Sequence, residues 1–289
     1  MDTDKLKIYT KPKLNRPALI MSFSGWMNAG DVSTGTTQYL IDKFDAFEFA
    51  HIVPDSFYIY NFPGSMEFSS LFRPHTEIDE GLIKNYQEPS NTFYADTINN
   101  LILLMGKEPN LAWHEYSDCI LDICREFSVS QIVFIGSIAG LTPHTREPRI
   151  LCSVSNKELK EPLEHLGFKF TNYEGPAGII TFLTIKTREN NMDMTNLIAE
   201  IPAYLHGYNP RCIETAVKCL ARILNLHLQL DDLRTLADNF EKRVTQLIQE
   251  NEELAEKIQQ LETDYDNEMF DTEMTDLKNW LQKKGIRLD

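Results

Sequence analysis

The chain has 289 residues, 42% of them hydrophobic, enough to bury the core of one large domain or two small ones. Its net charge of −15, from 43 acidic and 28 basic residues, repels phosphate backbones and anionic lipid, so neither nucleic acid nor a membrane is expected as a partner. No apolar run approaches the roughly 18–20 residues of a membrane span, and Met1-Asp2-Thr3-Asp4-Lys5 carries no hydrophobic signal region, which predicts a cytoplasmic protein.

Ala18 to Phe23 reads as a strand buried on both faces. The loop Ser24 to Gly30 follows, and Asp31 is placed to cap a helix running to about Phe44. Phe47 to Val53 is a second strand. Asp55 to Pro89, rich in aromatics, Pro, Gly and Ser, reads as strand edges and long loops. Leu101 to Met105 is a buried strand with the exit loop Gly106 to Asn110, and a helix follows from about Ala112 to Phe127. Gln131 to Ile135 is the next strand, with a long polar exit from Gly136 to Arg146. Then come a strand near Ile150–Val154, a helix near Asn156–Leu166 and a short strand at Phe168–Phe170. Gly175 to Gly178 opens a helix to about Thr187. Met194 to Ile201 is the last main strand, and Pro210 starts a helix to about Asn225.

Strands alternating with helices predict a three-layer α/β/α sandwich with a mostly parallel central sheet, as one domain over residues 15–228. Residues 229–289 form an acidic helical C-terminal arm. From Asp231 onward there are 16 acidic and 8 basic residues, about half of the chain's excess charge. Val244, Asn251 and Ile258 fall at one core position of a heptad and Leu247, Leu254 and Leu261 at the other. A lone core Asn fixes register in coiled coils, so these six residues are the expected oligomer contact. The same stripe suits packing onto an α/β domain, its own or a neighbour's. A last short helix is expected near Glu273–Lys283. The five cysteines form no C-x-x-C pair and read as buried, reduced thiols.

In an open α/β sheet, ligands bind beyond the carboxyl ends of the strands. The exit loops bring Asn28, Asp31, Glu108, His144, Arg146 and Tyr204 toward that crevice, with Glu174 on the Gly/Pro-opened loop. There His144 would serve as acid or base, with Glu108 or Glu174 as partner. The same residue types also serve turn geometry and capping. No P-loop, G-x-G-x-x-G, G-x-S-x-G or H-E-x-x-H pattern occurs, and no cofactor or metal site is expected.

Five segments in order carry a resemblance. Phe23-Ser24-Gly25-Trp26-Met27-Asn28-Ala29-Gly30, Gly106-Lys107-Glu108-Pro109 with Trp113, and Pro143-His144-Thr145-Arg146 are the first three. Tyr173-Glu174-Gly175-Pro176-Ala177-Gly178 and Ile201-Pro202-Ala203-Tyr204 with Asn209-Pro210 complete them. Together they resemble the PAC2 (proteasome assembly chaperone 2-like) family, bacterial branch. The resemblance implies a phosphorylase/hydrolase-like α/β/α sandwich with a C-terminal helical extension, and homo-oligomers. Eukaryotic and archaeal relatives assist proteasome assembly. The chain departs from the family at Asn61-Phe62-Pro63, where an arginine pair is missing, and at Ala177 and Ala203, which replace Thr and His. Its last residues, Gly285 to Asp289, lack the hydrophobic–Tyr–x tail of some archaeal relatives.

The expectation is a non-enzymatic homo-oligomeric scaffold or assembly-chaperone-like protein whose partners are itself and a client protein. The alternative is a nucleoside- or nucleotide-like small-molecule binder, a hydrolase or an ATP-grasp-type enzyme, using the strand-exit crevice.

Overall fold

The apolar runs of the sequence become the inner strands of a nine-stranded sheet. The computed structural model describes residues 4–70 and 72–283, with side chains to residue 270. In chain order the elements begin β1 (Leu6–Ile8), β2 (Ala18–Ser24), α1 (Val32–Phe44), β3 (Phe47–Ile52), α2 (Met66–Ser70), β4 (His75–Asp79), β5 (Leu82–Gln87), β6 (Asn91–Asp96) and β7 (Leu101–Lys107). They continue α3 (Trp113–Glu126), β8 (Gln131–Gly140), β9 (Ile150–Val154), α4 (Lys160–His165), β10 (Lys169–Phe170), α5 (Ile179–Glu189) and β11 (Met194–Pro202). The helices α6 (Pro210–Leu224), α7 (Asp231–Gln249) and α8 (Glu252–Lys283) end the described chain.

The sheet order is β1-β3-β6-β7-β2-β8-β11-β9-β10. Its centre, β7-β2-β8-β11, is parallel. Antiparallel pairs lie outside it, β1-β3-β6-β7 on one side and β11-β9 on the other. Parallel central strands need helices on both faces, and alternating side chains of each strand feed two separate cores. Leu19, Met21 and Phe23 pack with Tyr116 and Ile120 of α3 and Leu183 of α5. Ile20 packs on the opposite face with Leu40 of α1 and Ile213, Val217 and Leu220 of α6. This is the expected three-layer α/β/α sandwich.

Three local readings change. Strand β6 went unread because Asn91-Thr92-Phe93-Tyr94-Ala95-Asp96 is polar at both ends, yet Phe93 and Ala95 are fully buried in the first core. Strand β8 does not stop at Ile135 but pairs with β11 as far as Gly140. Gly136 is a packing glycine rather than a turn, because a Cβ there would stand 2.7 Å from the Phe134 ring. Asp31 does not cap α1, since its side chain makes no capping bond. Asn28 supplies that bond instead, its Oδ1 accepting the Thr34 N–H at 3.0 Å. All five cysteines are buried and unpaired, as expected, and burial raises each thiol pKa.

Helix α7 packs on α6, and α8 folds back against α7. A continuous heptad across Asn251 does not form. Helix α7 ends at Gln249, and Asn251 is the residue before α8, its Oδ1 accepting the Leu254 N–H at 3.1 Å. An Asn that competes for backbone donors ends one helix and starts the next. Val244, Ile248 and Ile258 then form a small core of their own, flanked by Leu254, Leu261 and by Tyr204 and Leu205 of the α/β domain. Leu247 faces away and is 64% exposed. The side chains of the expected last helix, Met274 to Leu281, lie outside the described ones.

Between α2 and β6 a flap stands off the main sheet. Strands β4 and β5 form their own two-stranded hairpin, closed by Glu80-Gly81 with both φ angles positive (49° and 82°). Ile78 and Ile83 sit opposite each other on it and are 64% and 70% exposed.

Candidate functional site

The strand-exit residues divide into two groups. Around the end of β2, Glu108 Oε2 accepts the Trp26 N–H at 3.0 Å. That approach requires Gly25, whose φ is 135° and where a Cβ would stand 2.9 Å from the Glu108 Cβ. Asn28, held to Ser137 by a parallel bridge, donates from Nδ2 to Thr34 Oγ1 at 3.1 Å and to Asp31 Oδ1 at 3.3 Å. Asn28, Asp31 and Glu108 thus fix the β2 exit loop.

The second group is held by the arm. Tyr204 Oη accepts the His144 backbone N–H at 2.8 Å and lies 2.8 Å from Nδ1. Burial pushes the Tyr204 pKa up to about 12, so the phenol keeps its proton. Burial also lowers the His144 pKa below 6.5, which keeps the ring neutral at pH 7, and its Nε2 lies 3.0 Å from Thr245 Oγ1 of α7. Thr245 in turn donates to the Glu241 carbonyl at 2.9 Å. Both ring nitrogens are occupied, and Glu108 and Glu174 are not their partners.

Arg146 meets Asp266 of α8 in a two-pronged ion pair, 2.8 Å from Nε and 2.7 Å from Nη2. Thr145 bonds to Glu262, and Tyr265 Oη donates to the Glu147 carbonyl at 2.8 Å. Arg149 pairs with Glu268 at 2.8 Å and stacks over the Tyr265 ring, 4.3 Å from its centroid. The segment from His144 to Arg149 is a dock for the arm. Glu174 stands apart, exposed on the loop before α5. Sequence reasoning missed Thr245, Glu262 and Asp266. The available signal was the acidic excess of the arm, which complements Arg146 and Arg149. Among the described residues no group of three metal-ligating side chains converges, and no helix is long and apolar enough to cross a membrane.

Acidification is expected to loosen this dock. Burial lowers the His144 pKa below its ordinary 6.5, opposed by the carboxylates of Glu241 and Glu262. The unfolded chain therefore binds the extra proton first as pH falls. The contribution of neutral His144 is fully present above 6.5 and is lost as pH drops toward the lower folded value. The thermal midpoint of the wild type should fall from about pH 7.5 to about pH 5.5 more steeply than that of His144→Ala. Parallel slopes would show that His144 does not carry the effect.

The comparisons agree with this architecture. The PAC2 family model matches residues 22–248. A proteasome-assembly chaperone homologue from Mycobacterium tuberculosis is 24% identical, with a TM-score of 0.71, covering 83% of this chain and 98% of that one. A Mycobacterium tuberculosis protein of unknown function is 19% identical with a TM-score of 0.83, covering 96% and 94%. An archaeal proteasome activator from Pyrococcus furiosus is 18% identical with a TM-score of 0.62, covering 84% and 97%. No curated protein is matched. With the family model running from the end of β2 into α7, where Thr245 meets His144, the chain belongs to the PAC2 family.

Proposed function

We propose that this PAC2 protein is a non-enzymatic, self-associating scaffold that holds a client protein during assembly. The observation that carries the reading is the flap. An isolated two-stranded hairpin is marginal in water. Here it presents Ile78, Leu82, Ile83 and Tyr86, all more than half exposed, and the segment before it in the chain exposes the paired rings of Phe62 and Phe68. Apolar side chains gathered on a protruding element mark a protein contact. A second copy is the first occupant, because it covers the hairpin that the chain's own sheet leaves uncovered. Leu247, on the free side of α7, is a further place where copies meet. The polar strand-exit residues support the same reading, since His144 and Arg146 are spent on internal bonds rather than aimed at a substrate. The neighbours with a described role are proteasome-assembly or activator proteins, so the client class by likeness is a subunit of a multi-chain assembly.

Light scattering after size exclusion tests it. The wild type should elute as a multimer, and Ile78→Asp/Ile83→Asp should elute as a single chain with an unchanged circular dichroism spectrum. A monomeric wild type that captures no protein partner rejects the reading.

A further inference from the structure

Under the Trp26 and Tyr173 loops lies a cleft of about 440 Å³. Residues of β8, β9 and β11 form its floor and the first turns of α5 its wall. Its position is informative. Strands β2 and β8 are neighbours whose chains leave in opposite directions, one toward the β1 edge and one toward the β10 edge. Ligands of open α/β sheets bind beyond strand ends at such a switch point; the mouth of the cleft reaches it, and the floor runs back under α5 to Asn196, the third residue of β11. Trp26 and Met27 come from the β2 exit and Ile138 from the end of β8.

The lining is chemically selective. Met27, Ile138, Val154, Ile180 and Ile198 make it apolar, and among the described residues no charged side chain lines it. The Glu108 carboxylate stands behind Trp26 and Gly178, so a phosphorylated ligand would meet no cation and one nearby anion. A few neutral polar groups converge on the floor. Asn196 is only 3% exposed. Its Nδ2 donates to Ser153 Oγ and Thr184 Oγ1, both at 3.0 Å. Its Oδ1 is covered and has no hydrogen-bond partner among the described residues, so a turn of the amide toward the cleft would offer it one unsatisfied acceptor. At the mouth, Trp26 and Tyr173 are 59% and 67% exposed, with the Tyr173 hydroxyl donating to the Pro176 carbonyl at 3.1 Å.

We propose that this cleft binds an uncharged, flat ring compound carrying one N–H or O–H donor. The ring enters between the mouth aromatics and the aliphatic wall, and the donor meets the Asn196–Ser153–Thr184 floor. The volume falls in the range of small-molecule pockets, roughly 300–1,000 Å³. This site is separate from the flap and from the arm dock, so its test does not depend on either.

Indole and 1-methylindole are the probes, alike in shape and differing in the N–H. Calorimetric titration of the full chain should show saturable binding of one indole per chain and about tenfold weaker binding of 1-methylindole. Trp26→Ala/Tyr173→Ala removes two exposed side chains and should abolish saturation without moving the thermal midpoint. No saturable heat with either probe, equal binding of both, or indole binding that survives the double substitution overturns the proposal.

Discussion

Arg211→Leu should lower the stability of the chain by about 3 kcal/mol, while Glu214→Leu, at the other end of the same ion pair, should lower it by only about 1 kcal/mol. Glu214 is fully buried beneath α7, and Arg211 Nη1 makes its aligned bond to Oε2 at 3.1 Å. Lys218 and Arg234 stand 2.8 Å and 3.5 Å from the other oxygen as charge contacts without hydrogen-bond alignment. Arg211 Nη2 also reaches Asp238 and Glu241 of α7, each at 2.7 Å. Removing the arginine leaves a buried carboxylate short of its bonded partner and brings two further carboxylates together without their cation. Removing the glutamate takes away the buried charge itself, and Arg211 keeps two partners. Breaking a buried pair costs about 3–5 kcal/mol, and the two remaining cations put this case at the low end. Urea denaturation of the two variants measures the asymmetry, and equal losses would refute the argument.

Tyr116→Ala should cost about 4 kcal/mol, the range of large-to-small changes in a packed core. Tyr116 is fully buried among Phe23 and Phe57, with ring centroids 6.1 Å and 5.2 Å away. Its hydroxyl donates to Asn91 Oδ1 at 2.8 Å, which also accepts the Lys107 N–H at 3.2 Å, while Tyr58 Oη, 2.9 Å from that oxygen, has the Lys107 carbonyl closer, at 2.6 Å. That oxygen pins the start of β6 to the end of β7. It also explains Gly106, where a Cβ would stand 2.4 Å from it. Tyr116→Phe keeps the ring, and Asn91 Oδ1 keeps the Lys107 N–H, so its cost should be about 1 kcal/mol. A Phe variant as damaged as the Ala variant would show that the hydroxyl, not the packing, dominates.

The inner sheet was legible because β2, β7, β8 and β11 are nearly continuous apolar runs, which only a doubly covered strand requires. The edge strand β6 was not, since its buried positions alternate with polar ones and it follows a long irregular stretch. The flap carries hairpin chemistry at Glu80-Gly81, but a hairpin whose apolar side chains stay exposed leaves no periodic signature of a core. Among the candidate site residues, position along the strands was readable and partnership was not. His144 and Arg146 do lie at strand exits, yet their partners, Thr245 and Asp266, are separated from them by 101 and 120 residues. Asn196 was passed over inside the apolar run of β11. A single amide at an inward position of a buried strand is the signal that marks it, and only the fold reveals the cleft beside it.

The distance in sequence between the arm and its dock bears on how the chain is made. Thr145, Arg146 and Glu147 receive their contacts from residues 117, 120 and 118 positions later. At a synthesis rate of about 5–20 residues per second, the sheet has several seconds to form before α8 emerges. During that interval Arg146 lacks Asp266, and the small core around Val244 and Ile258 does not yet exist. Closure of the arm is then the last long-range step of folding, and the nascent α/β domain passes through a stage in which this face is open to other chains.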